Sequence, residues 1–171
     1  MQDTLPIHFA PLQGYTEAIY RNAHDAFFGG VDTYYTPFVR LEKGNFRRRD
    51  VRGIEPENNG VPHLIPQLIA SSAEKAEVIL SLFIEKGYQE VDINLGCPFP
   101  LLAKRHNGSG ILPYPEEVKA LLSIVTRYPQ ISFSVKMRLG WEQPDECLAL
   151  APILNDLPLH QITMHPRLGK Q

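Results

Sequence analysis

Cysteine is scarce in this chain: Cys97 and Cys147 are the only two among 171 residues. Two thiols build no disulfide scaffold, and their spacing builds no zinc knuckle. Long apolar runs are missing as well. No window approaches the roughly 20 apolar residues of a membrane-spanning helix. The amino terminus lacks the basic region and continuous apolar stretch of a secretion signal. No charge predominates either: 17 Lys and Arg stand against 19 Asp and Glu, a net charge of −2, so nothing marks the whole chain as a polyanion binder. Together these absences exclude a secreted disulfide protein and a helical membrane protein, and they predict free thiols in a reducing cytoplasm.

What is present describes an ordinary folded domain. Hydrophobic residues make up 43% of the chain and charged residues 21%, and the length suits one substantial core. Short apolar or alternating runs predict strands at 7–11, 33–38, 63–69, 90–95, 132–138 and 161–166. Longer amphipathic stretches lie between them. "SSAEKAEVILSLFIEKG" opens with a capping box, Ser71 and Glu74, and stops at Gly87. "YPEEVKALLSIVTRYP" has Pro115 at the first helical position and Pro129 beyond its end. "TEAIYRNAHDAFFGG" reads as a helix stopped by glycines. In "QPDECLALAPILNDLP" the internal Pro152 is expected to kink the helix or cut it short. Strand and helix in alternation predict an α/β fold with a parallel sheet. The strand spacing suits a (β/α)8 TIM barrel, which typically needs about 250 residues. The chain ends after its sixth strand, so it reads as a truncated barrel of about six βα units, a piece of a larger protein.

Side chains alternate across a strand, so parity decides which residues share a face. Asp92 and Asn94 oppose Val91, Ile93 and Leu95. Ser132, Ser134, Lys136 and Arg138 oppose Phe133, Val135 and Met137. Gln161, Thr163 and His165 oppose Ile162 and Met164, and His63, Ile65 and Gln67 oppose Leu64, Pro66 and Leu68. The apolar sets are expected to face helices and the polar sets the barrel interior. Gln67, Asn94, Lys136 and His165 then end their strands at the carboxyl-terminal mouth, where parallel α/β folds carry ligands. Leaving such groups buried without partners costs roughly 1–3 kcal/mol each, which points to a polar or electron-rich ligand. His63, lower in the barrel, reads as a satisfied core residue.

"VDINLGCPFP" (91–100) delivers a thiol at the tip of one of these strands. Cys97 lies in a tight turn between Gly96 and Pro98, with no helix directly behind it and no neighbouring histidine to lower its pKa. A thiol near its usual pKa of about 8.5 is mostly protonated at neutral pH. That suits a general acid better than a nucleophile. Cys147, in an amphipathic helix, reads as a small filler. Cys97 and His165 alone are too few ligands for zinc. Residues 40–52, "RLEKGNFRRRDVR", carry six basic side chains (Arg40, Lys43, Arg47, Arg48, Arg49 and Arg52) against two acidic ones. This stretch is predicted as a loop on the same mouth, where it can grip phosphates or simply remain solvated.

The blocks "APLQGYTEAIYR", "PQL", "VDINLGCPFP", "GSGIL", "SVKMRLGW" and "ITMHPR" together resemble the signature blocks of the tRNA-dihydrouridine synthases, in the same order and across nearly the whole chain. The resemblance implies an FMN-dependent TIM barrel with a helical carboxy-terminal tRNA-binding domain, here absent. It implies NADPH as reductant and the C5–C6 bond of uridines in tRNA as target. By position, Pro11 and Leu12 (through backbone), Gln13, Gln67, Lys136 and His165 are implied to bind the cofactor, with Lys136 near the flavin N1–C2 edge. Hydride is implied to pass from FMN to C6 while Cys97 gives a proton to C5. Asn94 and Arg138 are implied to orient the uracil, and Lys104 and Arg105, in the loop beyond Cys97, are further candidates for binding the substrate RNA. The family commonly has Met and Ala where Leu12 and Gln13 stand, Asp at Glu17 and Gly at Pro166. Its phosphate grip comes from strands this chain lacks, so the 171-residue chain is expected to hold FMN poorly, to show little activity and to self-associate through exposed sheet edges. Two rivals share these features: an FMN-barrel dehydrogenase acting on a free pyrimidine, and a non-catalytic RNA-binding module.

Overall fold

The structure, a computed structural model, describes residues 5–171. Its elements in chain order are β1 (His8–Phe9), α1 (Ala18–Phe27), β2 (Thr33–Tyr35), β3 (Leu41–Glu42), β4 (Asn45–Phe46) and α2 (Arg48–Ile54), then β5 (Leu64–Ile65), β6 (Gln67–Leu68), α3 (Ala73–Glu85) and β7 (Glu90–Leu95). They continue through α4 (Pro100–Ala103), a 3-10 turn at Gly108–Ile111, α5 (Pro115–Leu122), α6 (Ile124–Arg127), β8 (Ser132–Gly140), α7 (Glu146–Asn155) and β9 (Leu159–Leu168). Two parallel ladders result, β1–β2–β5 and β6–β7–β8–β9, and β3 and β4 form the antiparallel hairpin.

The two ladders are one wall. The expected strand at 63–69 is split by Pro66, which has no N–H for a ladder. Its carbonyl still accepts from the Asp92 amide at 3.0 Å, and a parallel bridge joins Val39 to Leu68 beyond β2. Six parallel staves therefore follow one another in chain order, as in a barrel wall, without closing into a ring among the described residues.

The outward apolar sets behave as parity predicts on β7 and β8. Val91, Ile93, Leu95, Phe133, Val135 and Met137 are fully buried against Ile79, Leu80 and Phe83 of α3, Val118, Leu121 and Leu122 of α5, and Leu150 and Leu154 of α7. Burying each such side chain is worth about 1.5–3 kcal/mol. On β9 the expectation fails: Ile162 and Met164 are 42% and 39% exposed, because none of the described helices covers that face.

Three local expectations need correction. The amino-terminal cap of α3 is Ser72, which accepts from the Lys75 amide, rather than Ser71, whose hydroxyl instead receives the Lys75 ammonium at 2.9 Å. Pro152 sits inside α7 without ending it. It lies one turn from the carboxyl end, where one ladder bond is forfeited, while buried Leu150 and Leu154 hold both sides of it to the core. The basic run is no simple loop. Lys43 and Gly44, both at positive φ, join β3 to β4 as a type I′ turn does, and α2 follows. Its charge is partly answered, since Arg47 lies 3.9 Å from Asp50 and Arg49 lies 3.7 Å from Glu17.

Candidate active site

Register lays the inward residues out in layers, as in a barrel interior. Gln67, Asp92, Ser134 and Gln161 are mutual ladder partners on one level; Asn94, Lys136 and Thr163 share the next; Arg138 and His165 lie above them. The four strand tips are thus a staircase rather than one rim, with Gln67 lowest. A cavity of about 620 Å3 opens above these steps, lined by Pro11, Leu12, Gln13, Gln67, Asn94, Cys97, Lys136, Arg138, Thr163 and His165 among others. Lys104 and Arg105 are exposed and line other surfaces, outside this cavity.

A hydrogen-bonded chain runs beneath the thiol. Asp92 is buried, and its two carboxylate oxygens accept from Ser134 Oγ and Gln67 Nε2, each at 2.6 Å. The Gln67 carbonyl oxygen accepts from Asn94 Nδ2 at 2.8 Å. The Asn94 oxygen then accepts from the backbone amides of Gly96 and Cys97, at 3.0 and 2.8 Å. A short amide side chain bonding to backbone two and three residues ahead is a turn-forming device. Asn94 therefore holds the turn that carries Cys97, so its oxygen is already engaged. Burial raises the Asp92 carboxyl to about 6, against the pull of Gln67, Ser134 and the nearby Lys136 charge.

The thiol is half-buried. Burial pushes its pKa up, while the Phe99 amide and the charges of Arg138 and Arg40 pull it down. A helix does lie just beyond, contrary to expectation, but α4 is a single turn, too short to lend Cys97 a strong dipole. Burial prevails, and the group stays a thiol at neutral pH.

The Cys97 turn is also fixed from the far side. Its carbonyl accepts from Ser109 N and Ser109 Oγ, both at 3.0 Å. Gly108 adopts φ +60, and a Cβ there would stand 2.5 Å from the Cys97 carbonyl oxygen. Gly108→Ala is therefore expected to move the turn or to cost well over the roughly 1–2 kcal/mol of a left-handed residue alone. Thermal melting and the thiol's alkylation rate would both change; if neither does, the turn is not fixed by this contact.

Other polar groups in the cavity differ in how free they are. Arg138 is largely committed, with Nε on the Gly96 carbonyl at 2.9 Å and Nη1 on that of Leu168 at 2.7 Å. Leu12 has its N–H bonded to Thr16 Oγ1 at 2.8 Å and its carbonyl to the Tyr15 and Thr16 amides, which leaves little backbone for a ligand. Its loop is tied down by buried Arg21, which donates to the Thr16 carbonyl at 2.6 Å. Lys136, by contrast, forms no hydrogen bond or ion pair among the described residues; burial lowers its pKa and Asp92 raises it. His165 is lowered by desolvation and by the Arg138, Lys136 and Arg167 charges, so its imidazole is neutral at pH 7. Both polar atoms of the Gln13 amide are buried without a partner. An orphaned amide and an unpaired ammonium facing one cavity are groups that await a ligand with donors, acceptors and negative charge.

Parity puts Asp92 and Ser134 on the inward face, but their part is not legible in the sequence, because their partners lie on other strands. In the sequence Arg40 is one member of a charged run. His63 is satisfied by Glu90 at 2.7 Å and by Thr33 at 3.1 Å, yet it is half-exposed rather than a core residue. Cys147 is half-buried against the core. No cluster of potential metal ligands occurs among the described residues, and none of the described helices is long and apolar enough to cross a membrane.

Comparison with known proteins matches residues 8–171 to the dihydrouridine synthase family. A probable tRNA-dihydrouridine synthase 1 of Synechocystis sp. is 28% identical over 169 residues, covering 95% of this chain and 45% of the relative. A tRNA-dihydrouridine(16) synthase of Haemophilus ducreyi is 28% identical over 178 residues, covering 94% and 52%. A tRNA-dihydrouridine synthase B of Vibrio cholerae is 31% identical over 103 residues, covering 60% and 30%. The chain thus spans about half or less of the length of these relatives.

Proposed function

The chain belongs to the dihydrouridine synthase family, and from that premise we propose that its protein reduces the C5–C6 bond of uridines in tRNA, with FMN in the 620 Å3 cavity and NADPH as reductant. The observation that carries this reading is the meeting in one cavity of a protonated thiol, an unpaired lysine and an orphaned glutamine amide.

These residues fit a flavin. The Gln13 amide can both donate and accept along an edge of alternating carbonyls and ring nitrogens, and Lys136 offers a cation to an electron-rich ring. When bound, the flavin supplies the hydride for uracil C6. Cys97 delivers a proton to C5, so that the hydride and the proton together saturate the double bond. Arg138 and Arg40 favour the thiolate left behind, and Asn94 keeps the turn in place. The uracil must leave its stack to reach this depth. The neutral His165 imidazole can donate or accept at the cavity's upper step.

The test is direct. The full-length protein that carries this chain, supplied with FMN, NADPH and unmodified tRNA, should form dihydrouridine, read by mass spectrometry of the RNA. Bound flavin with no dihydrouridine, or reduction of free uracil alone, would refute the reading. Lys136→Met should weaken FMN binding by roughly tenfold or more, the worth of a charge-assisted hydrogen bond at about 1.5–3 kcal/mol. Fluorescence titration checks this; unchanged affinity would remove Lys136 from the cofactor site.

A further inference from the structure

A second cavity, of about 500 Å3, is walled by the β3–β4 hairpin, the first turns of α3 and the segment after α4. Four cations line it: Arg40, Lys43, Lys75 and Arg105. Glu42 is the one carboxylate in that lining, and it lies 3.6 Å from Arg40 and 4.0 Å from Arg47. Lys43, Lys75 and Arg105 have no carboxylate within ion-pair distance among the described residues, and the buried Arg40 Nε has no partner. The turn at Lys43 and Gly44, set by two positive φ angles, presents Lys43 from a defined backbone. The floor is apolar, with Ile69 and Ile79.

This cleft neighbours the thiol. Asn107 in its wall directly precedes Gly108, which lies against Cys97. Arg40 contributes to both places, as a wall of the cleft and as a charge felt at Cys97.

We propose that the cleft between the β3–β4 hairpin, α3 and the segment after α4 holds the ribose–phosphate backbone of the RNA strand whose base enters the Cys97 cavity. The inference rests on the reading of that cavity as a uridine-reducing site. Its cations come from separate elements, the β3–β4 hairpin and its approach, α3 and the segment after α4, around an apolar floor. That layout suits successive phosphates with sugars between them; a single pyrophosphate calls for donors converging on one point.

The test is a triple variant, Lys43→Gln with Lys75→Gln and Arg105→Gln, all at exposed positions. Binding of an unmodified tRNA transcript is measured across a potassium chloride series. Each phosphate left without its cation should lower the slope of log affinity against log salt by about 0.7–0.9, so the slope falls by about 2, with at least a tenfold loss of affinity. FMN affinity and flavin reduction by NADPH should match the wild type. An unchanged salt slope overturns the proposal. So does a triple variant that binds tRNA normally but is reduced poorly by NADPH, which would make the cleft a dinucleotide site. Wild-type protein that binds tRNA with the steeper slope but forms no dihydrouridine would refute the proposed reaction and leave the cleft in place.

Discussion

Replacing Cys97 with alanine is expected to slow dihydrouridine formation by about 10²–10⁴-fold, the usual worth of a positioned general acid, while FMN affinity stays at the wild-type level. The expectation follows from the state of the thiol rather than from its presence alone. Burial holds its pKa above the ordinary thiol value against two guanidinium charges, so it carries a proton at neutral pH and has one to give. Cys97→Ser separates the roles further. A hydroxyl fits the space and keeps the backbone bonds donated to Asn94, but it is a far weaker acid, so serine should be nearly as slow as alanine.

The same protonation state predicts the thiol's reactivity. Alkylation by iodoacetamide, which needs the thiolate, should be slow at pH 7 and should climb only at pH values above the ordinary thiol range. A nucleophilic cysteine would show the reverse, reacting fast at neutral pH with a plateau. Either fast alkylation at pH 7 or an alanine variant that turns over like the wild type would remove Cys97 from the acid's role.

Parity makes much of this legible in advance. Alternation on β7 and β8 separates the residues that meet the helices from those that face inward, and that separation holds in the structure for all six apolar positions from Val91 to Met137. The six parallel staves and the family follow the sequence reading too. What alternation cannot carry is level. Whether Gln67 stands beside Asn94 or one step beneath it depends on the stagger between strands, and the stagger comes from packing rather than from any one segment. The Ser134–Asp92–Gln67–Asn94 chain is hidden for the same reason, since its links join residues 25 to 42 positions apart. The basic run illustrates a different limit. Six cations within thirteen residues read as a loop that grips phosphates or stays solvated, but Lys43 and Gly44 turn it into a hairpin, and its partner carboxylates are Glu42 and Asp50 within the run and Glu17 well upstream of it. Pro152 does not cut α7 short, because the buried Leu150 and Leu154 hold the helix to the core on both sides of it.

Stability and activity are expected to respond to pH in opposite directions as Asp92 titrates. Its folded-state pKa of about 6 stands above the ordinary 3.8, so between these values the folded protein binds a proton that the unfolded chain does not. The stabilising contribution is therefore complete below about 4 and is lost as pH rises through about 6, a loss on the order of 3 kcal/mol at about 1.4 kcal/mol per pKa unit. Activity should move the other way. Only the ionised carboxylate accepts from Gln67 and Ser134 with both oxygens; once protonated it has a donor of its own, and the chain to Asn94 and the Cys97 turn slackens. Asp92→Asn isolates the effect, because its amide oxygen can still accept from Gln67 while its NH2 donates to Ser134 Oγ. Denaturant midpoints between pH 4 and 8 should show a smaller change with pH in the variant than in the wild type, and the acid limb of the rate profile near pH 6 should flatten. Gln67→Leu tests the other end of the same chain: it strands a buried carboxylate and frees Asn94, so it should lose stability most at pH above 6, where Asp92 is charged. Parallel pH profiles for the wild type and Asp92→Asn would mean that the buried carboxylate is not coupled to the turn that carries the thiol.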